Sequence, residues 1–108
     1  MEQILLLDAD PEHAPRVEQA LRSVCRQIVL CADSQLASSL LRTCHFDLAV
    51  VVPAPSDAKW CDWVESIRAP VRDTHNPPMV VCLLRRPYRG PDEKVYAARK
   101  GFKVVYER

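Results

Sequence analysis

The sequence predicts one α/β domain, built on a doubly wound parallel sheet of five strands with helices on both faces. Five short apolar runs alternate with segments of helical periodicity along the 108 residues. Continuously apolar runs are typical of strands that are buried on both faces of a parallel sheet. Helices that alternate with such strands make the right-handed crossovers that a parallel sheet requires. The 48% hydrophobic and 27% charged fractions are those of an ordinary globular domain, and we expect residues 1–108 to form a single one.

The first strand and the first helix meet at an acidic turn. Residues 4–7 are continuously apolar, and Asp8, Ala9 and Asp10 follow them. Asp10 and Pro11 predict the start of a helix, because Asp accepts a hydrogen bond from a free N–H of the first turn and Pro fits its backbone. The apolar side of this helix contains Ala14, Val17, Ala20, Leu21 and Val24.

A second helix separates the second strand from the third. Gln27–Cys31 is the second strand, and Asp33 with Ser34 begins a helix. Residues 47–52 are the third strand, which Pro53 ends because proline cannot donate a hydrogen bond to a neighbouring strand. The apolar side of the second helix contains Leu36, Ala37, Leu40 and Leu41.

Ser56 or Asp57 is the expected cap of a third helix, which Pro70 closes. Trp60 and Trp63 lie three residues apart on it, and we expect both to pack against the core with one ring partly exposed. Their alternative role is a ridge that binds a partner.

The last strands are joined by a short helix. Met79–Leu84 is the fourth strand, which lies between two loops rich in polar residues and proline. Asp92 caps a fourth helix that extends to Lys100, and Gly101 ends it. Residues 102–106 form the fifth strand.

Positive charge is concentrated at the carboxyl end of the chain. Residues 1–84 contain seven Lys and Arg against eleven Asp and Glu, whereas residues 85–108 contain eight against three. The net charge of +1 therefore divides into −4 and +5. Such a basic end is either a solvated surface or a site for an acidic partner surface or a phosphate backbone.

The residue types of metal and catalytic sites are scattered. The five cysteines include no Cys-x-x-Cys pair, so we expect most of them to be small buried hydrophobes and predict no metal. His13, His45 and His75 lie in unrelated segments, and no glycine-rich phosphate loop is present. We expect no cofactor and no enzymatic activity.

Targeting signals are also missing from the sequence. No apolar run approaches the roughly 20 residues that a membrane-spanning helix needs. The amino terminus lacks the pattern of a secretory signal, so the expected location is the cytoplasm.

Several motifs in order together resemble one known family. They are residues 4–11 with their acidic turn, residues 32–34, the helix end and strand start at residues 40–48, residues 67–69, residues 78–81 and residues 98–102. This succession is similar to that of response-regulator receiver domains over nearly the whole chain. The resemblance implies a flavodoxin-like sheet with strand order 2-1-3-4-5. It also implies a fifth helix after the last strand, which is missing or truncated here, so that dimerisation or a further domain would cover the sheet face it leaves open.

The family's chemistry needs an acidic pair that holds Mg²⁺, an aspartate nucleophile, a hydroxyl group and a lysine. Asp8 matches the first acid, whereas Ala9 stands at the second, and Asp10 is an incomplete substitute. The resemblance places the remaining parts at Val52, with Val51 as the alternative register, at Leu83 or Leu84, and at Arg108. A valine has no oxygen that could attack phosphorus. We therefore expect a pseudo-receiver that forms no aspartyl phosphate.

The leading functional hypothesis is a phosphorylation-independent regulatory domain that binds another protein, as the amino-terminal part of a longer bacterial response regulator. In receivers the output is read on the fourth helix and fifth strand, and Arg and Tyr are enriched at binding hot spots. The expected partner-binding residues are Arg85, Arg86, Tyr88, Arg89, Lys94, Tyr96 and Tyr106.

Two other hypotheses remain open. The first is a sensor in which a small molecule or an anion occupies the vacated crevice. The second is the regulatory half of a transcription factor, in which a domain beyond this chain would contact the nucleic acid. We expect a protein partner, with a homodimer as one possibility, and no membrane partner.

Overall fold

A computed structural model describes residues 3–55, 59–71, 74, 76–85 and 92–107, with the backbone alone at residues 92–94. The elements in chain order are β1 (Gln3–Asp8), α1 (Ala14–Leu21), β2 (Gln27–Cys31), α2 (Ser34–Thr43), β3 (Leu48–Val52), α3 (Trp60–Arg68) with a 3-10 turn (Ala69–Val71), β4 (Met79–Leu84), α4 (Asp92–Lys100) and β5 (Lys103–Tyr106). Strands and helices thus alternate as the sequence predicts, and most boundaries agree within one or two residues.

The five strands form one parallel sheet in the order β2-β1-β3-β4-β5. The central strands β1 and β3 are buried almost throughout, which explains their unbroken apolar sequences. Strand order reverses between β1 and β3, since β2 lies on one side of this pair and β4 and β5 on the other. The predicted fold class and strand order are confirmed.

Helices α2, α3 and α4 cover one face of the sheet. Ala37 of α2, Val64 of α3 and Ala97 of α4 are buried in one cluster with the strand residues that point to this side. Trp60 packs edge-to-face on Phe102, with ring centroids 6.2 Å apart, which joins the start of α3 to the start of β5. Trp63 is partly buried, as the sequence predicts.

Helix α1 covers part of the opposite face. Val17 and Leu21 pack on the β1 and β3 residues of this side, in a second and smaller cluster. Farther along this face, Met79 and Val105 are 49% and 48% exposed. Val81 and Leu83 lie partly buried between them. The α1 face of β4 and β5 is therefore an open apolar surface among the described residues.

The regular part of α1 begins later than expected. The sequence predicts a start at Asp10 and Pro11, but the helix begins at Ala14. Pro15 has no N–H to donate to the carbonyl of Pro11, so the first turn lacks one bond of the helical series. The carbonyl of Asp10 instead accepts hydrogen bonds from the N–H groups of His13 and Ala14.

Other local expectations have mixed outcomes. The Asp33 carboxylate caps α2 by accepting the Gln35 N–H at 2.8 Å, as predicted. The predicted cap of α3, Ser56 or Asp57, lies outside the described residues. The cysteines are free thiols, and only Cys31 and Cys82 are buried, so the expectation that most of them are buried is wrong. In the described ranges, no helix has the length and apolarity needed to cross a membrane.

Gly101 ends α4 with a backbone conformation that suits glycine. Its φ is +91°, and the N–H groups of Gly101 and Phe102 bond to the carbonyls of Ala98 and Ala97. A Cβ at this position would lie 2.8 Å from Nη1 of Arg68, at the end of a long side chain that can move. The left-handed backbone is therefore the larger obstacle to substitution.

We expect Gly101→Ala to lower the free energy of unfolding by roughly 1–2 kcal/mol, because an L-residue is strained in the left-handed region. Urea titration followed by circular dichroism measures the loss. The same substitution in an Arg68→Ala background is the control, and the loss should persist there. Disappearance of the loss in that background would assign it to the side-chain contact instead.

Candidate functional site

The carboxyl ends of β1 and β3 meet at the point where strand order reverses, which is where doubly wound sheets form their working crevice. Asp8 and Val52 are direct partners in the register of these strands. The Ala9 N–H donates a hydrogen bond of 3.0 Å to the Val52 carbonyl, which continues the pairing beyond the strand end. Asp8 and Val52 therefore lie side by side at the crevice.

Val52 is completely buried in the cluster beneath α1. Its side chain has no oxygen, so it offers neither a nucleophile nor a metal ligand at this strand end. Leu83 packs against the same cluster, whereas Leu84 lies in the cluster on the other face. Apolar side chains thus occupy this side of the crevice floor.

The Asp8 carboxylate is buried and fully engaged. Its side chain is 1% exposed, and Oδ2 lies 2.6 Å from Nδ1 of His13. Oδ1 accepts the Asp10 N–H at 2.9 Å. A carboxylate removed from water needs such partners, because an unpaired buried charge costs several kcal/mol.

His13 connects the crevice to the end of the chain. Its Nε2 bonds to Oε2 of Glu107, the residue that follows β5, so one imidazole joins two carboxylates. Arg16 adds a longer ion pair, with Nη1 3.8 Å from Oε1 of Glu107. The Glu107 N–H donates to the Leu84 carbonyl at 2.9 Å, which fixes the backbone from which this carboxylate extends.

A second ion pair lies beside the first. Arg85, immediately after β4, donates from Nη1 to Oδ2 of Asp10 at 3.0 Å. The other oxygen, Oδ1, accepts the Glu12 N–H at 3.0 Å. The Glu12 N–H and then the Arg85 guanidinium hold the pKa of the Asp10 carboxyl below its usual value, because both stabilise the charged form.

We call this set of side chains the crevice network. Its members are Asp8, Asp10, His13, Arg16, Arg85 and Glu107. Each of its acids has a basic partner within the chain. Among the residues that the structure describes, no three His, Cys, Asp or Glu side chains are arranged to hold a metal ion. The crevice is thus an internally neutralised surface, with a polar cavity of about 220 Å³ lined by Asp10, Glu12, His13, Arg16 and Arg85.

The other predicted site residues are only partly described. Ala9 is exposed beside Asp8. Tyr96 is 42% exposed on α4, with the Lys100 ammonium 5.6 Å from its ring centroid, and Tyr106 is partly buried. Arg85 is only 22% exposed because it turns toward Asp10. Arg86, Tyr88, Arg89, Arg108 and the side chain of Lys94 lie outside the described residues.

Sequence reasoning missed His13, Arg16 and Glu107 as members of the site. The separate segments of the three histidines predict isolated side chains, but His13 lies between two carboxylates. One signal was present: His13 follows Asp8 by five residues across a tight turn, which can return a side chain to the strand end. Glu107 is 94 residues from His13 and gave no local signal.

Comparison with known proteins finds similarity in structure but not in sequence. No protein-family model matches the chain, and no curated protein matches it. The chemotaxis protein CheY4 of Vibrio cholerae superposes with a TM-score of 0.70 at 16% sequence identity, covering 99% of this chain and 85% of that one. A response regulator receiver domain protein of Bacillus halodurans gives 0.60 at 16% identity, covering 97% of this chain and 83% of that one.

This chain has the fold of a receiver domain. The order β2-β1-β3-β4-β5 and the crevice at the ends of β1 and β3 agree with the expectation from the sequence motifs. At this level of identity the likeness concerns the fold, and the chemistry of the crevice must be argued from its own residues.

The stabilisation that Asp10 contributes to the folded state should be lost in acid. Its pKa is lower in the folded than in the unfolded state, so its stabilisation is present above the unfolded pKa and is lost as the pH falls through the folded one. Asp10→Asn keeps an oxygen for the Glu12 N–H but removes the charge. We expect this variant to lose stability less steeply than the unmodified protein between about pH 5 and pH 3 in urea titrations. Equal slopes would contradict the assignment.

Proposed function

We propose that this chain is a regulatory domain of signal transduction that acts by binding another protein and forms no aspartyl phosphate. The observation that carries the proposal is the pairing of Asp8 with Val52 at the sheet's switch point, where the receiver fold would need an acceptor carboxylate. The receiver fold supports the signalling class. The proposed location of this activity is the cytoplasm.

The crevice network supports independence from phosphorylation in a second way. Phosphoryl transfer to a carboxylate needs a divalent cation that neutralises charge as the phosphorus is attacked. The carboxylates of Asp8 and Asp10 already bind His13 and Arg85, so a cation would have to displace both bases.

Exposed residues on α4 and β5 support a protein partner. Val95 and Tyr96 are 49% and 42% exposed on adjacent positions of α4, and Arg99 and Lys100 are exposed on the same helix. An apolar and aromatic centre with a basic rim is typical of a surface that binds an acidic partner. We define the docking face as Arg85, Arg86, Tyr88, Arg89, Lys94, Tyr96 and Tyr106.

The sensor hypothesis fits the crevice less well. A ligand in the polar cavity would meet Asp10, Glu12, His13, Arg16 and Arg85, four of which already take part in ion pairs. To bind Arg16 or Arg85, an anion would have to displace the carboxylates of Glu107 and Asp10, which belong to the same chain. A thermal-shift screen with nucleotides and metabolites separates the two functions, since a true ligand raises the melting temperature by mass action.

Incubation with acetyl phosphate and Mg²⁺ should leave the protein unmodified. Val52 has no nucleophilic oxygen, so we expect no mass increase of one phosphoryl group in intact mass spectrometry. Beryllofluoride with Mg²⁺ should leave the amide NMR spectrum unchanged near Asp8 and Val52. A receiver that carries the acceptor aspartate is the positive control. Modification of any carboxylate in the crevice would overturn the proposal.

Charge reversal on the docking face should weaken partner binding. We expect Arg86→Glu with Arg89→Glu to reduce capture of an acidic partner at least tenfold, about 1.4 kcal/mol, while the folded state is retained. Arg42→Glu, at an exposed position of α2, is the control and should leave capture unchanged. The measurement is quantitative mass spectrometry of proteins retained by each immobilised variant. Proteins retained equally by all three forms would count against the docking face.

A further inference from the structure

His13 needs two protons to satisfy its surroundings. Nδ1 faces a carboxylate oxygen of Asp8, and Nε2 faces a carboxylate oxygen of Glu107. While both acids are ionised they only accept hydrogen bonds, so both ring nitrogens donate, which is the protonated form of the side chain. The neutral ring has a single N–H, and its other nitrogen would direct a lone pair at a carboxylate.

We propose that Asp8, His13 and Glu107 form a proton-operated latch. While the imidazole is charged, the latch holds the carboxyl end of β5 against the turn that follows β1. When the imidazole loses its proton, one of the two hydrogen bonds is lost, and the Glu107 side chain is released while its backbone stays bonded to Leu84. Histidine is the side chain that most often serves as a pH switch in proteins, because it gains or loses its charge with a single proton.

Burial decides which bond opens. The side chain of Asp8 is 1% exposed and could not exchange His13 for water, whereas that of Glu107 is 23% exposed and could. The single remaining proton therefore stays on Nδ1, facing Asp8. Glu107 turns outward, where Arg16, with a side chain 75% exposed, remains beside it in solvent.

The two carboxylates bonded to His13 set the direction of the response. Asp8 faces it from β1 and Glu107 from the end of β5. The described groups that line the cavity beside it are Asp10, Glu12, Arg16 and Arg85. Arg16 pairs with Glu107 and Arg85 with Asp10, so these bases act mainly on their own carboxylates. The latch is thus stabilising on the acidic side of the His13 titration, and its contribution is lost as the pH rises.

Release would reach the docking face directly. Glu107 is the neighbour of Tyr106, and the Leu84 carbonyl to which its N–H bonds precedes Arg85. Loss of the Glu107 side-chain contact would therefore alter the surroundings of Tyr106 and Arg85, which both belong to that face. This consequence rests on the proposed function, whereas the latch itself does not.

NMR on the free, full chain tests the latch. The imidazole ¹⁵N shifts of His13, the carboxyl ¹³C shift of Glu107 and the amide shifts of Tyr106 and Glu107 are followed from about pH 5 to about pH 9. We expect all of them to change together in a single titration. His45→Gln, which removes an exposed histidine with only a 3.6 Å contact to Asp47, should leave this titration unchanged.

Two variants make the result decisive. His13→Gln should abolish the pH response of the β5 amides, since glutamine does not titrate. Glu107→Gln should abolish that response while His13 continues to titrate, and it tests the latch even where the first variant fails to fold. A β5 response that survives either substitution overturns the latch, as does a β5 end that stays still while His13 titrates, or a His13 that remains charged at the highest pH.

Failure of the latch and failure of the docking function are distinguishable. A pH-independent β5 end in the free protein overturns the latch and leaves partner capture unaffected. Equal capture of the partner by the double variant Arg86→Glu with Arg89→Glu and by the unmodified protein overturns the docking face. The NMR titration of the latch would be unaffected by that result.

Discussion

The ion pair between Asp8 and His13 is the constraint on which the crevice depends. Both side chains are almost completely buried, and removing one partner of a buried pair costs about 3–5 kcal/mol because the other charge is left without compensation. The pair therefore fixes the turn between β1 and α1 in one position. From that turn, His13 reaches the end of β5 and Asp10 reaches the end of β4, so three strand ends are joined by side chains.

The receiver fold creates a place where charges converge, and this chain fills that place with its own bases. In a phosphorylated switch a bound metal ion supplies the counter-charge. Here the bases His13 and Arg85 are part of the chain itself, in the turn before α1 and immediately after β4. The strand ends that bring carboxylates together for catalysis are here held to one another by ion pairs. The buried Val52 and the partly buried Leu83 beside it fit this change, since neither needs a polar partner.

The sequence predicts the sheet well because the signals for it are local. An apolar run such as that of β1 or β3 is recognised from a few consecutive residues. Asp33 caps the helix that follows it directly, and Gly101 ends the helix directly before it. The predicted start of α1 is wrong because Pro15 has no N–H to donate to the carbonyl of Pro11, four residues earlier. The crevice network could not be derived in this way. It depends on how the end of β5 lies against the turn before α1. His13 and Glu107 are 94 residues apart, and no local sequence pattern predicts their contact.

Val52 also affects how long a response of this domain can last. An acyl phosphate lets a receiver retain a record of a past stimulus until the bond is hydrolysed. A domain with a hydrocarbon at that strand end has no bond in which to store such a record. On the proposed function its output would persist only while the partner stays bound, so the dissociation rate of the complex would set how long each response lasts.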